Sequence, residues 1–159
     1  MELRKVDESN LWKIVALSVA PEQTGFVATV TESILEAYAV QASGGVALPF
    51  GVYEEDTPVG FVMFGYGKSG DPDEPDVAQG NYTIWRFLID QRYQGRGLGR
   101  KALALALDYL RTNPAGPAEA VWLSYEPENA RAKALYHAFG FEENGEMCGG
   151  ETVAVRPLA

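Results

Sequence analysis

Between positions 91 and 101 the chain reads QRYQGRGLGRK, which places Gly95, Gly97 and Gly99 among four basic side chains, Arg92, Arg96, Arg100 and Lys101, with no acidic residue. A strand-like stretch, NYTIWRFLID, runs into this segment and a helical pattern leaves it. A strand that breaks at glycines and starts a helix leaves several backbone N–H groups without internal partners, pointing one way. With the helix dipole behind them they form an anion site of the kind that cradles phosphates. Glycine keeps Cβ atoms out of the path of a ligand, and the basic side chains add charge around the same spot. The same three glycines also serve a purely structural strand–helix turn, so the turn by itself leaves both readings open. Neither nucleotide fingerprint is present: the third glycine of G-x-G-x-x-G is replaced by Arg100, and G-x-x-x-x-G-K-[ST] is absent from the chain.

The charge distribution sharpens the contrast. The chain has 13 basic and 22 acidic residues, a formal net charge of −9. Removing residues 91–101 leaves nine basic against 22 acidic side chains. A basic island in an acidic protein suits an anionic ligand at one place and a cationic one elsewhere. The overall acidity argues against a nucleic-acid partner. With 159 residues, 47% apolar and 22% charged, the composition is that of one globular domain spanning 1–159. No apolar run approaches the roughly 18 residues of a membrane span. The start MELRKVDESN is not a signal peptide, and a lone Cys148 implies neither a disulfide nor a structural zinc site. These features together lead us to expect a cytoplasmic protein with no bound metal and no membrane partner.

The elements that must position the turn can be read along the chain. ELRKV is a short first strand. Helical patterns follow over 8–18, with Leu11, Ile14 and Val15 on one side, and over 31–40, with Ile34, Leu35 and Tyr38 on one side and Thr31 as N-cap. PFGVYEED and PVGFVMFGYG are strands paired as a hairpin across the polar EEDTP turn. KSGDPDEPDVAQG is a loop. After the glycine turn, Leu98, Ala102, Leu105 and Tyr109 mark a helix face. AEAVWLSYE is a strand, and Asn129 caps a helix whose Ala132, Leu135, Tyr136 and Phe139 share a face. Gly140 then occupies a position that favours positive φ, with Phe141 as its apolar partner. Two strands near 141–147 and 151–157 end the chain, giving the order β-α-α-β-β-β-α-β-α-β-β.

With this order in view, Gln94-x-x-Gly97-x-Gly99 resembles the [QR]-x-x-G-x-[GA] signature of the GNAT acyl-CoA N-acyltransferases. The later NARAKALYHAFGF resembles that family's second block. The resemblance covers nearly the whole chain and implies an α/β (α+β) fold: a mixed central sheet of six to seven strands flanked by about four helices. It implies an acetyl-CoA-dependent acetyltransferase acting on a small-molecule amine, with the pyrophosphate held by the amides of Gln94, Gly95, Arg96, Gly97, Leu98, Gly99 and Arg100. Backbone groups near Leu88 and Ile89 would pair with the pantetheine arm, where the fourth and fifth strands splay. Asn129 matches the family asparagine that contacts the coenzyme. Arg131 or Lys133 could reach a phosphate, though helical spacing alone puts both on the solvent side. Homodimers are frequent among such proteins.

Tyr136 matches the family tyrosine that protonates the departing thiolate, a task suited to a phenol of ordinary pKa near 10. Without the motif it reads rather as a core aromatic beside Leu135 and Phe139. His137, about 100° around the helix, reads as a surface neighbour. Many relatives take the amine proton with a glutamate on the fourth strand, but here Ile84 to Ile89 carries no carboxylate. That departure favours a water wire, with Glu126 at the end of the fifth strand as an alternative base and Asp90 as a residue that shapes the turn. The second helix, TVTESILEAYAV, is similar to the corresponding segment of bacterial polyamine and diamine acetyltransferases. Glu32 and Glu36 stand four apart there, either as a solvated face or as a pair whose mutual repulsion a cationic acceptor relieves. Acceptors of other kinds (amino acids, aminoglycosides, protein amines) fit the same family, as does a coenzyme A-binding regulatory module without turnover.

Overall fold

The computed structural model describes residues 1–159. The elements are β1 (Glu2–Lys5), α1 (Leu11–Val15), α2 (Val30–Ala42), β2 (Ala47–Glu54), β3 (Thr57–Tyr66), β4 (Tyr82–Ile89), α3 (Leu98–Leu110), β5 (Ala120–Tyr125), α4 (Ala130–Ala138), β6 (Glu142–Cys148) and β7 (Glu151–Pro157), in the order expected from the sequence. The strands form one seven-stranded sheet in the order β1-β2-β3-β4-β5-β7-β6. Every neighbouring pair is antiparallel except β4 and β5, which run parallel across the α3 crossover.

Helices cover both faces. Because strand side chains alternate, Phe61 and Met63 of β3 cluster with Ile14 of α1, Leu17 just after it, and Val30 and Ala37 of α2. Val62 and Phe64 turn the other way onto α3 and its buried Leu103, Leu107 and Leu110. A strand covered on both sides must be apolar at nearly every position, which is why β3 reads VGFVMF. Each fully buried leucine in this layer contributes about 1.5–3 kcal/mol.

Three expectations are corrected. The first helix is shorter than 8–18: Asp7 and Ser9 spend their polar groups on a local turn, Ser9 donating to the Asp7 carboxylate from both N and Oγ, and the helix starts only at Leu11. The cap of α2 is Thr29, not Thr31. Thr29 Oγ1 accepts from Glu32 N at 3.1 Å while Glu32 Oε1 accepts from Thr29 N at 3.3 Å. This capping box needs a glutamate three residues on, which Thr29 has and Thr31 lacks. On α3 the buried face is Leu98, Ala102, Leu103, Ala106, Leu107 and Leu110. Leu105 and Tyr109 lie on its flank, the Tyr109 ring set edge-on against Phe50 at 4.9 Å.

Candidate active site

The site begins where the sheet comes apart. β4 and β5 pair only at Tyr82↔Val121 and Thr83↔Trp122. Immediately beyond, β3 pairs Met63 with Arg86 but Phe64 with Ile84, so Trp85 is an extra residue bulged out of β4. A bulge bends its strand and increases the local twist, and β4 leaves β5 at this point. The gap is a cavity of about 1100 Å³ that reaches from Trp85 and Leu88 past Gly97 to Asn129, Tyr136 and Glu151.

One end of the cavity is the glycine turn. Gly95 and Gly97 take φ of 79° and 76°, in the left-handed region that residues with a Cβ rarely adopt. None of the backbone N–H groups from Gln94 to Arg100 donates to a protein acceptor. Seven consecutive free donors, the last three opening α3, make an electropositive cradle with the dipole of a 13-residue helix behind it. Leu98 contributes only its N–H, since its side chain is buried in the core.

The side chains divide the labour in a way that spacing did not show. Gln94 Nε2 donates to Ile89 O and to Gln23 Oε1, both at 2.9 Å, so it braces the turn, and the Ile89 carbonyl is already engaged. Asp90 is buried, and its carboxylate accepts from Ser18 N, Arg92 N and Arg92 Nε. Burial pushes its pKa up, but the hydrogen bonds from Arg92 and Ser18 outweigh that and hold it below the usual carboxylate value. It shapes the turn, as expected. Arg92 is therefore neutralised, and Arg96 reaches back to the Arg92 carbonyl. The cations that line the cavity at this end are Arg100 and Arg131. Arg131 is exposed, as helical spacing implies, and stands on the cavity's rim. Lys133 pairs instead with Glu143 at 3.1 Å.

Across the gap, α4 presents Tyr136. Asn129 Oδ1 caps this helix by accepting from Ala132 N at 3.2 Å. At the other end Phe141 N donates to Tyr136 O and Gly140 N to His137 O, the paired bonds of a Schellman ending with Gly140 at φ 88°. Phe141 is buried beneath the Tyr136 ring, centroids 6.0 Å apart, and the Tyr125 ring lies 5.9 Å away on another side. Burial pushes the Tyr136 phenol well above its usual pKa, with Glu151 and Tyr125 adding to the rise. It therefore stays protonated at neutral pH, and its side chain lines the cavity. His137 is exposed and away from the cavity.

The acetyltransferase (GNAT) family profile matches residues 14–141. The chain belongs to the GNAT family. It is 32% identical over 161 residues to the spermine/spermidine N(1)-acetyltransferase of Bacillus subtilis strain 168, covering 99% of both chains. Its fold is shared with the aminoglycoside acetyltransferase AAC(6')-Ib in complex with coenzyme A: TM-score 0.76, 20% identity, 98% of this chain and 94% of that one. It is shared too with the PaiA N-acetyltransferase from Thermoplasma acidophilum in complex with coenzyme A: TM-score 0.67, 14% identity, 98% of both chains. This protein is an acetyl-CoA-dependent N-acetyltransferase of the GNAT type.

As a GNAT enzyme it needs an acceptor end to the cavity, and there the carboxylates are not arranged as the spacing implied. Glu36 accepts from Arg86 Nη2 with both oxygens, at 3.1 and 3.0 Å, and lies outside the cavity lining. Its charge is met by β4 rather than left to a cationic acceptor. Glu32 does line the cavity, but it also closes the capping box of α2. Glu126 is not among the lining residues, and its carbonyl accepts from Asn129 N at 2.9 Å in the turn before α4. Of the lining carboxylates, Glu22, Glu32 and Glu128 are exposed, whereas Glu151 is half-buried. Glu151 Oε1 accepts from Ser124 Oγ at 2.7 Å. Nothing in the sequence marks it, because β7 lies beside β5 only through sheet order and no spacing along the chain announces that pairing.

Proposed function

We propose that this enzyme transfers the acetyl group of acetyl-CoA directly to a primary amine of a polyamine or diamine within a ternary complex. The observation that carries the reading is that one cavity holds both a cradle of free N–H donors for an anion and carboxylates for a cationic amine. Seven free N–H donors stand with Arg100 and Arg131, the third lining cation, Arg86, is paired with Glu36, and Glu22, Glu32, Glu128 and Glu151 supply the anionic side chains. The near-full-length similarity to a spermine/spermidine acetyltransferase supports the same acceptor class.

The amides from Gln94 to Arg100 hold the pyrophosphate. The unpaired edge of β4 beyond Thr83 lies along the gap where the pantetheine arm would run, leading its thioester toward Tyr136. Tyr136, protonated at neutral pH, gives its proton to the sulfur as it leaves. Direct attack is favoured over an acetyl-enzyme because the one cysteine in the cavity, Cys148, is a poor nucleophile. Burial raises its pKa, and Glu151, Asp71, Asp73 and Glu74 raise it further, so the thiolate is scarce.

The test is mass spectrometry of acetyl transfer to spermidine, spermine, putrescine, lysine, an aminoglycoside and a short peptide with a free N-terminus. Preferential modification of the polyamines is expected. Preference for another amine would overturn the acceptor assignment and leave the cofactor assignment standing. Acetyl-CoA binding with no product from any amine would favour a regulatory module.

A further inference from the structure

A thioester can be attacked only by a nitrogen that sheds protons, and β4 offers no carboxylate to receive them. We infer that Glu151, at the start of β7, is the proton acceptor for the attacking amine and that Ser124 on β5 fixes its carboxylate in place. This inference rests on direct transfer to an amine, not on which amine is preferred.

The placement follows from the sheet. β7 pairs antiparallel with β5, Ser124↔Val153 and Tyr125↔Thr152, so Glu151 sits at the end of β7 that borders the β4–β5 gap. Ser124, Tyr136 and Glu151 all line that cavity. The Ser124 hydroxyl donates to one oxygen of Glu151 at 2.7 Å, and no protein cation lies within salt-bridge distance of the carboxylate. A half-buried carboxylate with one oxygen tethered and no cationic partner is poised to hold the amine and to take the proton its nitrogen sheds after attack. Its charge is felt by Tyr136 from α4 and Cys148 from β6, which line the same cavity.

The chemistry balances with these two groups alone. The ammonium loses its first proton to solvent. The nitrogen lone pair then bonds to the thioester carbon, and the carbonyl π pair moves onto oxygen. Glu151 takes a proton from the now cationic nitrogen. The oxygen pair re-forms the carbonyl as the C–S bond breaks, and sulfur leaves with that bond pair and the Tyr136 proton. Amide and free thiol result, and passage of the proton from Glu151 to the Tyr136 phenolate resets both groups.

The experiment uses the full chain and whichever amine of the panel is turned over fastest. Glu151→Gln should lower kcat by ~10²-fold, with the KM for acetyl-CoA within about twofold of the parent as the check on folding. Added formate should restore turnover to Glu151→Ala, supplying the missing carboxylate. Ser124→Ala should lower kcat by roughly 3–10-fold, Ser124→Thr should recover it, and Ser124→Ala combined with Glu151→Gln should be no worse than Glu151→Gln alone, as for groups acting as a unit. Near-parental kcat in Glu151→Gln would overturn the assignment and leave the acetyltransfer reading intact. So would a loss confined to the amine KM, or an Ala variant indifferent to formate.

Discussion

The side-chain amide of Gln94 donates to the carbonyl of Ile89 at 2.9 Å, tying the last residue of β4 to the first of the anion-binding turn. A second bond from the same nitrogen, to Gln23 Oε1 at 2.9 Å, brings in the segment before α2. The glutamine of the family signature thus works here as a brace. It closes the end of β4 and thereby sets where the N–H groups of the turn point. On the proposed reading the ligand meets backbone, and the side chain determines where that backbone lies.

Gln94→Ala should therefore raise the KM for acetyl-CoA with little change in kcat. Losing one or two bonds of about 1 kcal/mol each corresponds to roughly a tenfold effect. Gln94→Glu keeps the shape, cannot donate to Ile89, and sets a negative charge beside the pyrophosphate, so its effect should be larger. Steady-state kinetics with acetyl-CoA varied separates these cases. A kcat effect with unchanged KM would show that the brace acts on chemistry instead.

How much of this was legible in the sequence depends on how far each signal travels along the chain. The turn, Asn129 and Gly140 are local: their caps and left-handed backbone follow from residues within five positions, and the structure has them where the residues imply. The capping box at Thr29 was equally local, and the T-x-x-E spacing marks it. Glu36 and Arg86 are different. Fifty positions apart, they meet only because α2 lies on the same face of the sheet that Arg86 reaches from β4, so a helical wheel shows Glu36 beside Glu32 and nothing of the arginine. Glu151 fails for the same reason, since its partner Ser124 is 27 residues away. Periodicity places residues on faces; which faces meet is decided by sheet order.

Tyr136 should be the residue whose loss separates chemistry from binding. Tyr136→Phe keeps the ring packing against Tyr125 and Phe141 and removes only the hydroxyl. We expect kcat to fall by ~10²-fold with acetyl-CoA binding by calorimetry unchanged. Because burial first, then Glu151 and Tyr125, raise the phenol's pKa, the parent should show no loss of rate from its deprotonation below about pH 10. An equal kcat in the phenylalanine variant would remove Tyr136 from proton transfer.

Asp90 should make the stability of the fold depend on acid pH. Its carboxylate is only 2% exposed and accepts three hydrogen bonds, from Ser18 N, Arg92 N and Arg92 Nε. Burial raises its pKa, yet the bonds from Arg92 and Ser18 prevail and leave it depressed in the folded state. A depressed carboxylate contributes stability that is fully present above its unfolded value near 3.9 and is lost as pH falls through the folded value below it. Urea unfolding followed from pH 7 to pH 3 should therefore show a loss beginning below about pH 4. Asp90→Asn should reduce stability at pH 7 by about 1.5–3 kcal/mol, since the amide oxygen is a weaker acceptor and the Arg92 pair is lost. The variant's stability should then fall less steeply below pH 4 than the parent's. Because Asp90 holds Ser18 and Arg92 together at the base of the turn, the same variant should also raise the KM for acetyl-CoA. Parallel pH profiles for parent and variant would show that Asp90 does not control this transition.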